Sequence, residues 1–462
     1  MRISKSFSRS GYFWIPDNEE KKIPGTLKIT DGGKIELEVV DLFEEDVNSS
    51  ENGIDFKRII GYVEKDGLVT LEDCFYGQKN YSFNGIAKSL LHVNQLLCGV
   101  GYQTNEPIVF NSVSFTVEGL NEWLDINGIT VTYDEGRKSA TIDYDPQGEL
   151  VYDLTDGFKL HIYFIYTLPG FSHDYEAKIA QQAFLRISSI DAKELSEYIE
   201  KIHHITYMLC FAIDETVAVS NVSAISDNAV IQISEGKKAP ANIKIYFESR
   251  PFSIGQPKIS RHKMLFRFDH VSGSFEKIIN SWFHAYSKIR PALSLYFSSA
   301  TNTHKFLESR FLFLIQGLET YHRKTSSETR MEENRYEELV SRLVHVCSES
   351  HREWLESRLK HGNEISLRQR IKRIIQPYKS LIGNNKRREQ LIASIVDTRN
   401  YLTHYEERLR VRAASGNDLW DLCMKLEAIF QLLILKELGF EKNEIESILS
   451  RNYKLKQKLD NI

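Results

Sequence analysis

The chain has 462 residues, of which 42% are hydrophobic and 11% aromatic, so it can build real cores and does not have the composition of a disordered chain. Its formal net charge is only −4, but the charge is unevenly distributed. Residues 301–462 hold 29 Lys and Arg against 23 Asp and Glu, a net of +6, whereas residues 1–300 hold 30 against 40, a net of −10. Opposite charge in two parts of the chain predicts two units with different partners.

The sequence also argues against several classes of protein. No apolar run approaches the roughly 18 residues of a membrane span, and the first residues lack the apolar segment of a secretory signal. Five widely spaced cysteines without a CxxC pair argue against a disulfide framework or a zinc ribbon. No P-loop, HExxH or GxSxG motif occurs. We therefore expect a cytoplasmic protein with no membrane association, no cofactor and no metal site.

Short runs of alternating apolar and polar residues predict a β-rich first part. Residues 25–39 alternate around a Gly32-Gly33 turn, and residues 59–71 around Asp66-Gly67, so both are typical of hairpins. Further strand-like runs cover residues 108–117, 129–133, 139–144, 160–166 and 243–247. This pattern favours an antiparallel sandwich or barrel over alternating βαβ units, and we expect a sandwich-like arrangement.

One helix is predicted within the β-rich part. Asp191 can cap it, Glu194 follows three residues later, and apolar residues then recur at helical spacing. His203 and His204 lie in this segment. Because no second ligand stands at i+4, we expect both histidines to pack or to face solvent on an ordinary helix rather than to bind a metal.

Apolar residues at helical spacing dominate after about residue 270. The predicted helices cover residues 275–286, 305–323, 330–346, 351–359, 367–377, 387–404 and 417–438. Pro291 and the polar stretch 298–303 predict a hinge. The expected fold class is therefore α+β, with a β-rich domain over residues 1–270, a connecting helix and hinge over 271–303, and an all-α bundle over 304–462.

The segment IASIVDTRNYLTHYEE at residues 392–407 carries the most informative polar cluster. Asn400 and His404 stand one helical turn apart, and the long side chain of Arg399 can reach the same point. Asp397 and Thr403 flank them, and we expect both to support the site. Arginine supplies a permanent forked cation that matches phosphate, and histidine supplies a proton carrier that titrates near neutrality. These groups suit metal-free cleavage of RNA, although an ordinary helix end with a capping histidine is the simpler alternative.

The pattern Arg399-Asn400-x-x-x-His404 resembles the Rx4–6H signature of the HEPN superfamily, and the surrounding VDTRNYLTHYE is similar to the ApeA-like HEPN group of bacterial anti-phage defence proteins. Residues 306–323 and 430–440 resemble that family's first and closing bundle helices. The opening GYFWIP at residues 11–16 resembles the N-terminal domain found with ApeA-like HEPN modules. The resemblance thus covers most of the chain and is most specific at the Arg–His motif.

The resemblance implies a HEPN helical bundle that forms a homodimer and cuts RNA without metal. Arg399 would stabilise the phosphate, His404 would transfer the proton, and Asn400 would orient His404 or the RNA. Since one motif carries one histidine, a dimer supplies the second. Glu319 and His322 in the first bundle helix would be supporting polar partners, and a solvated helix face is the alternative for both.

A basic stretch precedes the motif and could attract an RNA backbone. We predict RNA contacts for seven of its side chains: Arg368, Arg370, Lys372, Arg373, Lys386, Arg387 and Arg388. A solvated helix face remains the alternative.

The overall interpretation is an endoribonuclease effector of anti-phage defence by abortive infection. Its acidic N-terminal domain would sense a phage-derived trigger or restrain the nuclease, an analogy with other defence effectors. One alternative is a HEPN module that binds nucleotides or RNA without cutting, with the β-rich domain as its interaction surface. A carbohydrate-binding β-sandwich with a helical oligomerisation domain is the third and most remote interpretation.

Overall fold

The computed structural model describes residues 1–43, 54–80, 87–134, 136–170, 175–234, 237–300 and 306–460. The chain forms two compact units, Met1–Asn280 and Ser281–Ile462. In the described ranges the first unit is mainly strands and the second consists of helices, which confirms the α+β class.

The first unit contains fourteen described strands and two complete α-helices. The strands are β1 (Phe7–Trp14), β2 (Ile23–Ile29), β3 (Ile35–Val39), β4 (Phe56–Val63), β5 (Gly67–Asn80), β6 (Lys88–Cys98), β7 (Val109–Val117), β8 (Ile129–Tyr133), β9 (Ala140–Tyr144), β10 (Leu150–Asp153), β11 (Phe158–Thr167), β12 (Ala180–Glu194), β13 (Val219–Ser234) and β14 (Lys237–Phe247). The helices are α1 (Leu120–Leu124) and α2 (Leu195–Ile213). Both predicted hairpins are present, as β2–β3 and β4–β5.

Six of these strands close into a barrel, which differs from the expected sandwich-like arrangement. The order of the large sheet is β10-β11-β12-β7-β13-β14-β6-β3-β2-β1-β4-β5, and β5 also pairs with β6. Strand β6 makes the closure possible because its second edge pairs first with β3, at residues 89–93, and then with β14, at residues 95–98. All pairs are antiparallel, and the open half of the sheet continues from the barrel through β14.

The barrel interior is filled by alternate side chains of β1 to β6, among which Phe13, Leu37 and Leu71 have no exposed surface. Gly61 is required beside them, since a Cβ atom there would lie 2.5 Å from the ring of Phe13. Alternation of buried and less buried residues along β2 and β3 is thus satisfied by one central core.

The predicted helix start at Asp191 is wrong. Strand β12 continues to Glu194 because Lys193 and Glu194 pair with Phe110 and Val109 of β7 after a bulge. The β-ladder therefore keeps this backbone extended where a helix cap was expected, and α2 begins only at Leu195.

The two histidines of α2 are packed within the first unit. His203 contacts the ring of Phe247, and burial lowers the pKa of His203 to about 4. His204 lies 3.8 Å from the Glu200 carboxylate one turn earlier.

The second unit contains helices whose bounds match most of the predicted ones. They are α3 (Phe275–Ala300), which begins in the first unit, α4 (Leu307–Thr325), α5 (Glu333–Val346), α6 (Arg352–Leu359), α7 (Leu367–Ile375), α8 (Asn385–His404), α9 (Gly416–Glu437), α10 (Lys442–Arg451) and α11 (Tyr453–Asp460). Helix α3 is kinked at Ile289, two residues before Pro291, where the sequence predicts a hinge. Of the predicted polar hinge stretch, residues 298–300 are helical and 301–303 lie outside the described residues.

Helix α9 forms the centre of the bundle. Helix α4 runs parallel to it, since the Cys423 thiol approaches the Leu307 carbonyl at one end and the Tyr321 hydroxyl donates to Glu437 at the other, over 2.7 Å. Helix α11 docks through Lys458, which is buried and donates to Glu427 over 2.7 Å. The parallel pair α4 and α9 therefore provides an axis along which the positions of residues on other helices can be compared.

A buried ion pair in the barrel gives a test of the first unit. Arg58 pairs with Glu72, and both are less than 10% exposed. Arg58→Met should lower the free energy of unfolding by about 3–5 kcal/mol, because it leaves a buried carboxylate unpaired. Arg58→Met/Glu72→Met should recover at least half of that loss in urea unfolding. Equal losses in both variants would contradict this, and Lys57→Ala, at an exposed ion pair, is the control.

Candidate active site on helix α8

The Arg–His motif occupies the last two turns of α8. Arg399 and Asn400 are half-buried and His404, the final helical residue, is exposed, so none of the three is a core contact. The Arg399 guanidinium donates to the Asn400 side-chain oxygen over 3.2 Å. Within the described part of the chain no hydrogen bond or ion pair engages His404, and its ring nitrogens are therefore available to a ligand.

Packing of the opposite face of α8 determines which of the motif side chains are exposed. Ile392, Ile395 and Thr398 are buried, and the Thr398 hydroxyl accepts a hydrogen bond from the Ala414 backbone over 2.9 Å. This bond ties the loop between α8 and α9 back to the helix. Helical geometry then turns Asn400 and His404 away from the buried stripe.

Few contacts involve the polar residues that surround Arg399 and His404 in the described chain. The Thr403 hydroxyl donates to the Arg399 carbonyl one turn earlier, over 2.7 Å, which is a local helix contact. Among the described residues, the Asn400 side chain contacts Arg399 and not His404. Asp397 is half-buried and pairs with no cation among the described residues.

Glu319 and His322 lie far from the motif, which corrects their assignment as supporting residues in the same subunit. Their neighbour Tyr321 bonds Glu437 at the C-terminal end of α9, whereas Thr398 bonds Ala414 just before its N-terminal end. Because α9 has 22 residues, these ends are about 33 Å apart.

Glu319 and His322 instead belong to a network between α4 and α7. Glu319 accepts from Arg323 over 3.1 Å, and Arg370 donates to the His322 ring nitrogen over 3.3 Å. Burial lowers the pKa of His322, and the adjacent Arg370 lowers it further, so a neutral ring accepts this bond. Glu364 completes the network with Arg323 and Arg370.

Five of the seven predicted RNA contacts have partners inside the protein. Arg370 is only 4% exposed and cannot reach a polymer, which corrects that assignment. Arg368 and Lys372 both bind Glu389, and their hydrogen bonds lower the pKa of its carboxyl. Arg373 binds Glu328, and Arg388 donates to the backbone carbonyls of Lys379 and Gly383. Lys386 and Arg387, at the start of α8, are the exposed members of the set without such a partner in the described chain.

A second polar cluster, absent from the sequence predictions, lies on the open sheet of the first unit. The His161 ring bonds the Ser188 hydroxyl over 2.8 Å and the Glu149 carboxylate over 3.1 Å, the order of groups in a hydrolase triad. Ser188 lies within β12, however, between β11 and β7, so its backbone is in a ladder and not at an exposed turn. Cross-strand contacts of this kind leave no signal in the sequence because Glu149, His161 and Ser188 are far apart in it.

Comparison with known families assigns both units. The family described as ApeA N-terminal domain 1 matches residues 8–282, which is more than half of the chain. The family described as Apea-like HEPN matches residues 312–444. This is an ApeA-type protein. No curated protein and no solved structure matches the chain.

The ApeA-type assignment confirms a HEPN domain in a protein of the defence type. Arg399, Asn400 and His404 all fall within the HEPN match. HEPN domains are generally ribonucleases and commonly act as dimers on RNA. The described helices of this ApeA-type protein include none with the length and apolar character needed to cross a bilayer. In the same ranges, no group of three or more His, Cys, Asp or Glu side chains is placed to hold a metal ion.

The distinction between buried and exposed basic side chains can be tested by measuring the stability of variants. Arg370→Ala should lower the free energy of unfolding by about 2 kcal/mol, because it removes buried hydrogen bonds to His322 and Glu364. Lys386→Ala/Arg387→Ala should stay within about 0.5 kcal/mol of wild type, since both side chains are exposed. Thermal unfolding of the full chain measures both, and a larger loss in the exposed pair would contradict the division.

Proposed function

We propose that this ApeA-type protein is a metal-independent endoribonuclease that acts in the bacterial cytoplasm and limits phage spread by abortive infection. The supporting observation is the exposed His404, with no partner in the described chain, at the end of the helix that also carries the Arg399–Asn400 pair. Such a histidine can exchange protons with a substrate, and the adjacent guanidinium matches a phosphate.

The proposed reaction is attack of an RNA 2′-hydroxyl on its own 3′-phosphate. A base takes the 2′-hydroxyl proton as the new O–P bond forms, and an acid protonates the 5′-oxygen as its bond to phosphorus breaks. The products are a 2′,3′-cyclic phosphate and a 5′-hydroxyl. Arg399 stabilises the charge that develops on the phosphate oxygens, and Asn400 holds the guanidinium in place.

The reaction needs two proton carriers, and each motif supplies one histidine. A histidine ring can act either as a general base or as a general acid, so two rings can divide the two roles. A homodimer through the HEPN domain would bring two motifs together, with one His404 as the base and the partner's His404 as the acid. The composite site is the reason for proposing a dimer as the active species.

The RNA path proposed here runs along α8. Lys386 and Arg387 lie on its first turn and His404 on its last, a separation of about 26 Å at the helical rise. An RNA strand of a few nucleotides can bridge this length, with phosphates at the basic end and the scissile bond at the motif. The N-terminal unit is proposed to receive the phage-derived trigger and to control access to the bundle.

The second candidate function is binding of nucleotides or RNA without cleavage. The Arg399–Asn400 contact favours it, because a guanidinium held by an amide can bind phosphate without any proton transfer. In this case the N-terminal unit is the main interaction surface.

Cleavage in EDTA separates the two functions. Wild type should cut total RNA either alone or after an extract of phage-infected cells is added as the trigger. The products should carry 2′,3′-cyclic phosphate ends. His404→Ala should lose at least about 100-fold in rate, because it removes a general acid–base group, and Arg399→Ala should lose a similar factor. Thr403→Val, which loses only a local helix contact, is the matched control and should retain most of the activity.

Two results would count against the nuclease. Products with 3′-hydroxyl ends would contradict attack by the 2′-hydroxyl. Retained RNA binding with no cleavage under any trigger would support the second candidate function.

A further inference from the structure

We propose that a cleft between α8 and α9, called the α8–α9 cleft below, binds a guanine base of an RNA strand. The volume of the cleft is about 260 Å³. This is below the roughly 300–1,000 Å³ of pockets for drug-sized ligands, so its size suits a single base. The inference rests on the proposed function in one respect, because the RNA path along α8 supplies the strand to which this base belongs.

Both helices present residues to the cleft at the same spacing. On α8 the lining residues stand at i, i+3, i+4 and i+7, and they are Arg387, Gln390, Leu391 and Ser394. On α9 they stand at the same intervals, and they are Asp418, Asp421, Leu422 and Lys425. Residues at these intervals share one face of a helix, so one continuous face of each helix forms a wall of the cleft.

Each wall contributes one buried leucine to the cleft. Leu391 and Leu422 occupy the same position, i+4, of the two helical faces, and both side chains are buried. Proteins that read a single base hold its flat faces against aromatic or apolar side chains and bind its edge with hydrogen bonds. The two leucines provide such an apolar surface.

The inner polar side chains of the cleft have no partner within the described chain. No hydrogen bond or ion pair there engages the side chains of Ser394, Asp421 and Lys425, although all three residues are half-buried. Burial lowers the pKa of Lys425, Asp421 raises it, and Arg387 lowers it, so these charged groups lie close enough to act on one another. Polar groups in this position are left to bind water or a ligand that carries both donors and acceptors.

The charges of the cleft favour guanine over the other bases. The Watson–Crick edge of guanine has two parallel N–H donors, at N1 and N2, beside the acceptor O6. A carboxylate can accept both N–H bonds at once, and an ammonium can donate to O6. Asp421 and Lys425 supply these two groups one helical turn apart, so they can meet adjacent atoms of one edge. No other base of RNA presents two parallel donors to a carboxylate.

The α8–α9 cleft lies on the proposed RNA path. Arg387 belongs both to the cleft and to the exposed basic pair at the start of α8. Ser394 precedes His404 by ten residues, which is about 15 Å at the helical rise. A base in the cleft and a phosphate at the motif can therefore belong to one strand of a few nucleotides. The expected consequence is cleavage at a fixed short distance from a guanine.

Binding of short RNA probes to the full chain tests the base preference. The protein carries His404→Ala to prevent cleavage, and the probes are oligoadenylates of equal length whose central nucleoside is guanosine, inosine or adenosine. Guanosine should bind at least about tenfold more tightly than adenosine. Inosine should fall between them, because it keeps N1–H and O6 but lacks the 2-amino donor. Fluorescence anisotropy at constant salt measures the three dissociation constants.

Asp421→Asn separates recognition of the base from general attraction of RNA. Removal of a carboxylate should strengthen binding of a polyanion, whereas the proposed contact predicts that the preference for guanosine is lost. Arg387→Ala should weaken the binding of all three probes by a similar factor, since a phosphate contact does not depend on the base. Glu353→Gln, which removes an exposed acid on α6 outside the cleft, is the matched control and should leave the preference unchanged. Circular dichroism of each variant should equal that of the parent protein.

Equal binding of the three probes would overturn the inference, as would a preference for guanosine that survives Asp421→Asn. Binding of free guanosine 5′-monophosphate together with equal binding of the probes would assign the cleft to a free nucleotide and overturn the RNA assignment. Cleavage of RNA by wild type, measured in parallel, separates this inference from the proposed function. A preference that depends on Asp421 without cleavage supports the cleft and contradicts the nuclease. Cleavage without any preference supports the nuclease and contradicts the cleft.

Discussion

Burial of one face of α8 is the constraint on which the account of this protein depends. Ile392, Ile395 and Thr398 are buried, and the bond from Ala414 to Thr398 returns the following loop to the helix. The orientation of this buried stripe leaves Asn400 half-buried and His404 exposed. The same bond holds the loop that leads into α9 against α8 and so limits which other side chains can approach the motif.

The helices could be predicted from the sequence because their signal is local. Apolar spacing predicts residues 387–404 and 417–438, and the structure has Asn385–His404 and Gly416–Glu437. The two tight hairpins were predictable for the same reason, since Gly32-Gly33 and Asp66-Gly67 determine the turns. Closure of the barrel could not be predicted. It depends on the pairing of β5 with β6 and on one edge of β6 pairing with both β3 and β14, and such long-range pairings give no local sequence signal.

Part of the candidate site could likewise be predicted from the sequence, and part of it could not. Asn400 and His404 stand one turn apart in any helix, so their proximity follows from the sequence alone. The position of His322 at the other end of α9 does not, because it depends on the direction in which α4 packs. Arg370 is similar: it stands in a basic run, but the bundle buries it beside His322. Composition therefore overstates the free positive charge near the motif.

The central claim is that one active site needs His404 from two copies. The most direct test is the cleavage rate of an equimolar mixture of wild type and His404→Ala after subunit exchange, at constant total protein. If only dimers with two histidines cut RNA, the mixture should have about one quarter of the wild-type rate, whereas independent sites would retain about one half. A rate near one quarter is the predicted result, and a rate near one half would contradict the composite site.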